Sequence, residues 1–167
     1  MIYFTSDLHF NHKNIIKYCN RPWNSTKEMN EAIIKNFNEI LMPNDTLYIL
    51  GDCGFGCREQ IEQIKGKKIL IVGNHDEVYN IKDVFEEVIV YKKLKYNHKH
   101  FILFHYPIVE WDGKYHNAYH LHGHQHNTTE YNIENIQNNI LRYDVGVDAN
   151  NYKPISIEKI IQKFKVK

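Results

Sequence analysis

Cysteine is scarce, membrane-length apolar runs are missing and neither sign of charge is in excess. Each shortage removes a class of protein. The three cysteines, Cys19, Cys53 and Cys57, form no disulfide framework, which suits a reducing compartment. No apolar run approaches the roughly 20 residues that span a bilayer. The first residues pass straight into a strand-like segment with no basic-then-apolar leader, so a cytosolic location without a membrane partner is expected. The formal net charge is +1, and no global field draws in a long polyanion. Two small basic clusters, Lys65, Lys67, Lys68 and Lys92, Lys93, Lys95, read as solvated ends of strands and turns. No repeat, linker or domain boundary interrupts the chain. With 167 residues, 43% of them hydrophobic and 25% charged, residues 1–167 are sized for a single domain with a sizeable core.

What the chain does contain is a repeated layout of an apolar run that ends in ligand-capable residues. Lys68-Ile69-Leu70-Ile71-Val72 opens into Gly73-Asn74-His75-Asp76, a buried strand leading into a polar loop. Ile2 to Ser6 runs into Asp7-Leu8-His9, and Thr46 to Leu50 into Gly51-Asp52. Downstream, Phe101 to Phe104 precedes His105, and Gly123-His124-Gln125-His126 follows another such run. Five strand ends that all deliver hard oxygen and nitrogen ligands are hard to explain as packing.

Between these ends the pattern alternates. Ile15, Ile16 and Cys19 carry a short helix, broken by Arg21-Pro22-Trp23. Ser25-Thr26-Lys27-Glu28 matches a capping box, and Met29, Ile33, Phe37, Ile40 and Leu41 continue as one apolar stripe. Pro43-Asn44-Asp45 ends that helix, and the strand–helix–strand order predicts a parallel crossover. Ile61 and Ile64 mark a further helix. The second half predicts consecutive strands at 88–91, 93–96 and 99–104, with Asn97-His98 as a hairpin turn. Two more strands are expected at 119–123 and 141–147, separated by a polar excursion at 127–139 with no assigned structure. Ser156 caps a last helix with Ile157, Ile160, Ile161 and Phe164 inward. The order predicts a mixed sheet from the first half and a more antiparallel one from the second, with helices outside and strand ends meeting along one edge.

Asp7, His9, Asp52, Asn74, His105, His124 and His126 are too many ligands for one tetrahedral ion. They suit two divalent cations sharing one carboxylate, manganese first, with iron, zinc, nickel or magnesium as alternatives. Two cations about 3.5–4 Å apart lower the pKa of a water between them and clamp both oxygens of an in-line displacement. Phosphorus is the expected reaction centre.

The five motifs, in this order from Asp7 to His126, resemble the signature of the calcineurin-like metallophosphoesterases, and the compact prokaryotic or phage members most closely. The resemblance implies a four-layer αββα sandwich of two mixed sheets flanked by helices, with a binuclear centre at the sheet edges. Carried over by position, Asp7, His9 and His126 would hold one metal, Asn74, His105 and His124 the other, and Asp52 would bridge. A metal-bridging hydroxide would be the nucleophile. His75 resembles the family's non-ligand histidine that protonates the leaving oxygen, with Asp76 placed to orient it through the other ring nitrogen. The family's protein phosphatases place a phosphate-binding arginine just after the second motif. Here Gly51-Asp52 is followed by Cys53-Gly54-Phe55-Gly56-Cys57-Arg58, which disfavours a phosphoprotein substrate.

The expectation is a metal-dependent phosphodiesterase acting on small or nucleotide-like phosphoesters. A nuclease on single-stranded nucleic acid and a non-catalytic interaction module are the alternatives. His122 is expected to be structural, His12 is a minor candidate for substrate contact, and Cys53 and Cys57 frame a loop lining the site. Trp23, Trp111 and Tyr115 could wall a pocket, with packing as the default for each.

Overall fold

A computed structural model describes residues 1–165. Its first sheet grows from strand β1 (Ile2–Thr5), parallel to β2 (Thr46–Ile49), which is parallel to β3 (Lys67–Ile71), itself parallel to β4 (Glu87–Ile89). A late strand, β9 (Ile155–Ser156), closes the far edge antiparallel to β1. Helices α1 (Lys13–Tyr18) and α2 (Thr26–Asn38) cross between β1 and β2, α3 (Arg58–Gln63) between β2 and β3, and the short α4 (Val78–Ile81) between β3 and β4. At the start of α2, Ser25 Oγ accepts from the Glu28 amide at 3.2 Å. The Glu28 carboxylate accepts from the Asn24 amide, one residue ahead of the reciprocal bond of a capping box.

Side chains alternate across a strand, and that period of two divides the core. Tyr3, Leu47, Ile49 and Leu70 pack outward against Ile15, Met29, Ile33, Phe37 and Ile61. Their neighbours Phe4, Tyr48, Leu50, Ile69 and Ile71 face inward and meet Phe101, Leu103, Tyr119, Leu121 and Tyr143 of the second sheet. The layers follow as helices, sheet, sheet and helix, the αββα sandwich expected above.

The second sheet has the order β5 (Tyr91–Tyr96), β6 (Lys99–Phe104), β7 (Tyr119–His122), β8 (Arg142–Asp144). It departs from the expected antiparallel character. Only β5 and β6 pair antiparallel, through the predicted Asn97-His98 turn, whereas β6–β7 and β7–β8 are both parallel. The connections 105–118 and 123–141 are long enough for the crossovers that parallel pairing requires. The second carries helix α5 (Thr129–Gln137), inside the stretch left without structure by the sequence. Its buried face is amide and not apolar: Asn132 accepts from the Asp144 amide at 2.8 Å and donates to the Asp144 carbonyl at 2.9 Å. The expected strand at 88–91 also divides, β4 joining the first sheet and β5 opening the second. Past the strand ends the sheets lean together, with Ser6 bridging Gly146 and the Val147 amide donating to the Ser6 carbonyl. The final helix α6 (Ile157–Lys163) is capped by Ser156 as predicted.

Candidate metal centre

All seven predicted ligands stand on loops that leave the carboxyl ends of β1, β2, β3, β6 and β7. Asp7, His9 and His126 each offer one ligand atom within 4.8 Å of the other two, and so do Asp52, His105 and His124. Asp52 lies between the two trios. Its Oδ2 is 3.5 Å from His9 Nε2 and its Oδ1 is 3.6 Å from His105 Nε2. Asn74 joins the second group, with its Oδ1 3.0 Å from His105 Nε2.

The chain holds this geometry with unusual backbone. Asp7, His9, Asp52, His124 and His126 all have positive φ, between 49° and 74°. Such left-handed residues are strained by about 1–3 kcal/mol each and persist where surroundings over-determine them. Here the Asp7 amide donates to the Gly51 carbonyl and the His9 amide to the Asp52 carbonyl, both at 3.0 Å. The His124 amide donates to the Asp7 carboxylate. Gly123 is required by close approach, since a Cβ there would meet Ser6 Oγ at 2.0 Å and Asp7 Oδ2 at 2.4 Å.

Two observations fit a cation at each trio. His9 Nε2 is buried and has no hydrogen-bond partner, which for a ring nitrogen facing carboxylates leaves a lone pair to be satisfied. His105 Nδ1 is 2.7 Å from the Leu50 carbonyl; donating there, it leaves Nε2 bare against the Asn74 oxygen, two acceptors face to face. The charge balance agrees. Burial pushes Asp7 well above the carboxylate range, opposed by His126 and reinforced by Asp144 and Asp52. Burial, then His126 and Arg21, hold His9 down to about 2. Burial and His105 also lower His124. A bound divalent cation would reverse the shift at Asp7 and reinforce those at His9 and His124, since it favours ionised carboxylate and neutral imidazole.

His126 behaves differently. Burial would lower it, but its hydrogen bond to Asp148, with Cys19 and Asp7 nearby, raises it to about 10. Its Nδ1 lies 2.8 Å from Asp148 Oδ2, which turns the other ring nitrogen toward Asp7 and His9. Arg21 clamps Asp148 through Nε and Nη2, both at 2.9 Å, and ties the first loop by donating to the carbonyls of Asp7 and Leu8. Arg21 and Asp148 carry no assignment from sequence. Asp148 follows β8 after Gly146-Val147 much as Asp52 follows β2 after Gly51, and that recurrence was the available signal. For Arg21, there was none. Cys19 approaches the same His126–Asp148 pair, but Asp148 is already committed to Arg21 and His126.

His75 is exposed beside the first trio, its ring 5.6 Å from that of His9 and its amide donating to Asp52 Oδ1. Asp76 does not orient it. The Asp76 carboxylate accepts from the amides of Gly73 at 2.7 Å, Cys53 at 2.8 Å and Asp52 at 3.1 Å. The loop curls the side chain back onto backbone donors, so Asp76 positions the loops of β2 and β3.

His122 is buried between the Gly123 carbonyl and the Tyr131 hydroxyl, a structural place as expected. His12 lies 3.2 Å from His9, ring nitrogen to ring nitrogen. The loop framed by Cys53 and Cys57 borders the centre through Phe55, as expected, while both thiols sit in the core, where burial raises them, Cys57 to about 12. Trp23 packs on Tyr152, Trp111 against His120, and Tyr115 against Glu110. None of the three walls the centre. The aromatic residues that do are Phe55 and Tyr106, 41% and 37% exposed.

The sequence profile described as calcineurin-like phosphoesterase matches residues 1–159. An uncharacterised protein of Methanocaldococcus jannaschii is 37% identical over 176 residues, covering 99% of this chain and 93% of that one. The gene 66 protein of Mycobacterium phage L5 is 35% identical over 81 residues, 44% of this chain and 39% of that protein. Among solved structures, a protein of unknown function from Aquifex aeolicus superposes with a TM-score of 0.77 at 31% identity, covering 97% of this chain and 98% of that one.

Proposed function

The chain belongs to the calcineurin-like phosphoesterase family, and from that premise we propose that it hydrolyses phosphodiesters, small or nucleotide-like, with two divalent cations, manganese by preference. Asp7, His9 and His126 would hold one cation and Asn74, His105 and His124 the other, with Asp52 placed to serve both. When bound, the pair would polarise the phosphoryl oxygens and acidify a water for attack on phosphorus. The protein's own part is geometric and protic. Asp52 fixes the spacing of the two sites, and its Oδ1 also anchors the His75 amide at 3.0 Å. His75, exposed at the rim, gives a proton to the leaving oxygen. Arg21 and Asp148 hold His126 in the orientation the first site requires.

The observation that carries this reading is Asp52, whose two oxygens each address a different trio. A small substrate is favoured over long nucleic acid because several basic side chains are paired locally. Lys67 pairs with Glu86, Lys92 with Glu87, Lys93 with Asp112, Arg58 with Asp83 and Lys114 with Glu110, leaving the sequence's basic clusters without a continuous track. No helix among the described residues is long and apolar enough to cross a membrane.

The test is turnover of bis(p-nitrophenyl) phosphate with added manganese, alongside metal content. Asp52→Asn is expected to lower bound metal below two per chain and abolish turnover. His75→Ala should keep the metal and slow turnover by about 10²–10⁴-fold, the usual range for a general acid. Unchanged rates in both variants overturn the roles given. Two metals with no turnover of any ester would point to an interaction module, and salt-sensitive digestion of single-stranded DNA or RNA to a nuclease.

A further inference from the structure

Phe55 is a large apolar side chain left 41% exposed on a loop whose backbone is held at Cys53, Phe55 and Gly56. The Phe10 amide donates to the Cys53 carbonyl at 2.9 Å and the Phe55 amide to the Phe10 carbonyl at 3.0 Å. Asn11 Nδ2 donates to the Phe55 carbonyl at 2.8 Å. Gly54, at φ 131°, lets the two backbones touch, since a Cβ there would lie 2.2 Å from the Phe10 oxygen.

The ring is held beside the metal centre. It lies 4.8 Å from the His12 ring, which neighbours His9, and 6.4 Å edge-on from the His75 ring. At the second trio Tyr106 plays a matching part, 4.5 Å from the His124 ring and 4.9 Å from that of His105. The centre is thus flanked by one exposed aromatic at each trio, and a diester has two arms. Among the described residues, the aromatic neighbours of Phe55 are imidazoles, a setting of flat faces and polar edges and not a pocket for an alkyl tail. A planar heterocycle suits such a face, since base–aromatic stacking asks for a π surface and tolerates any base.

We infer that Phe55 is a stacking platform for a nucleobase on one ester arm of the substrate, which makes the substrate a nucleotide diester. This rests on the phosphoesterase reading and narrows it. Phe55 is a specificity-determining contact. It takes no part in bond cleavage.

The experiment compares binding of thymidine 5′-monophosphate and of inorganic phosphate to the manganese-loaded protein by calorimetry. Both bring a phosphate to the metals, and only one brings a base. The preference for the nucleotide over phosphate should fall about 5- to 150-fold in Phe55→Ala, the range of stacking contributions per base. It should return in Phe55→Tyr and stay mostly lost in Phe55→Leu, which keeps apolar area without a π face. A wild type with no preference for the nucleotide overturns the inference, as does an unchanged preference in Phe55→Ala or full recovery in Phe55→Leu. Binding needs no turnover, so the two readings fail separately. An inert protein with the expected binding series removes the hydrolase and leaves the subsite. An active enzyme with a flat series does the reverse.

Discussion

Replacing Asp148 with asparagine removes the one negative charge shared by Arg21 and His126. The side chains of Arg21, Asp148 and His126 are 0%, 8% and 20% exposed, so solvent screens little of what is lost. Removing one member of a buried ion pair costs about 3–5 kcal/mol, because the remaining charge is stranded. The amide oxygen of asparagine still accepts one bond, which places the expected loss near the lower end, about 3 kcal/mol. In a domain of this length each kcal/mol moves Tm by about 2–4 °C, so the metal-free variant should melt about 6–12 °C lower at pH 7. The pH dependence gives an independent check. Against the pull of burial, the bond to Asp148, with Cys19 and Asp7 beside it, raises His126 from an ordinary 6.5 to about 10. A group raised on folding stabilises the protein fully below its unfolded pKa and loses that contribution as pH climbs through its folded one. The gap between wild type and variant should therefore be widest at pH 6.5 and narrow toward pH 10. Scanning fluorimetry on chelator-treated protein across that range measures both quantities. A gap below 2 °C, or one that stays constant from pH 6.5 to 10, refutes the shared-charge argument.

Two further outcomes follow from packing and loop geometry. Gly123→Ala places a methyl group 2.0 Å from Ser6 Oγ and 2.4 Å from Asp7 Oδ2, overpacking of about 1–3 kcal/mol. It should weaken metal binding at the first trio more than at the second, as measured by metal titration; an equal loss at both trios, or none, would refute the expected effect. Asp76→Asn cannot satisfy three backbone donors with one oxygen, and each hydrogen bond to a charged group contributes about 1.5–3 kcal/mol. Its Tm and metal affinity should both drop, whereas wild-type values of both with a slowed reaction would restore a direct partnership between Asp76 and His75.

The αββα layering was legible in the sequence, and the candidate ligands it named are brought together by the structure, while parts of the scaffold between them were hidden. Each candidate ligand follows closely on a short run that reads as a strand, so strand ends and candidates could be paired off without a structure. The Asn97-His98 turn was equally legible, because both residues accept the positive φ, 46° and 60°, that a two-residue hairpin demands. Helix α5 was hidden because its buried face is Asn132 and Asn135, side chains that periodicity arguments count as exposed. The parallel pairing of β7 and β8 was hidden with it, since the crossover helix is what makes that pairing possible. Arg21 and Asp148 are separated by 127 positions, and nothing local in either segment points to the other. Asp76 was misjudged for a different reason. An acid next to a histidine suggests contact with the ring, while the backbone of the loop had nearer donors to offer.

The division of the ligands between the two sheets has a mechanical consequence. One trio draws Asp7 and His9 from the first sheet and His126 from the second; the other draws Asp52 from the first and His105 and His124 from the second. Any ion held there acts as a rivet through both plates of the sandwich. Stripping it should loosen the seam between them along the rim where these loops meet, so that chelation and heat become two routes to the same opened molecule.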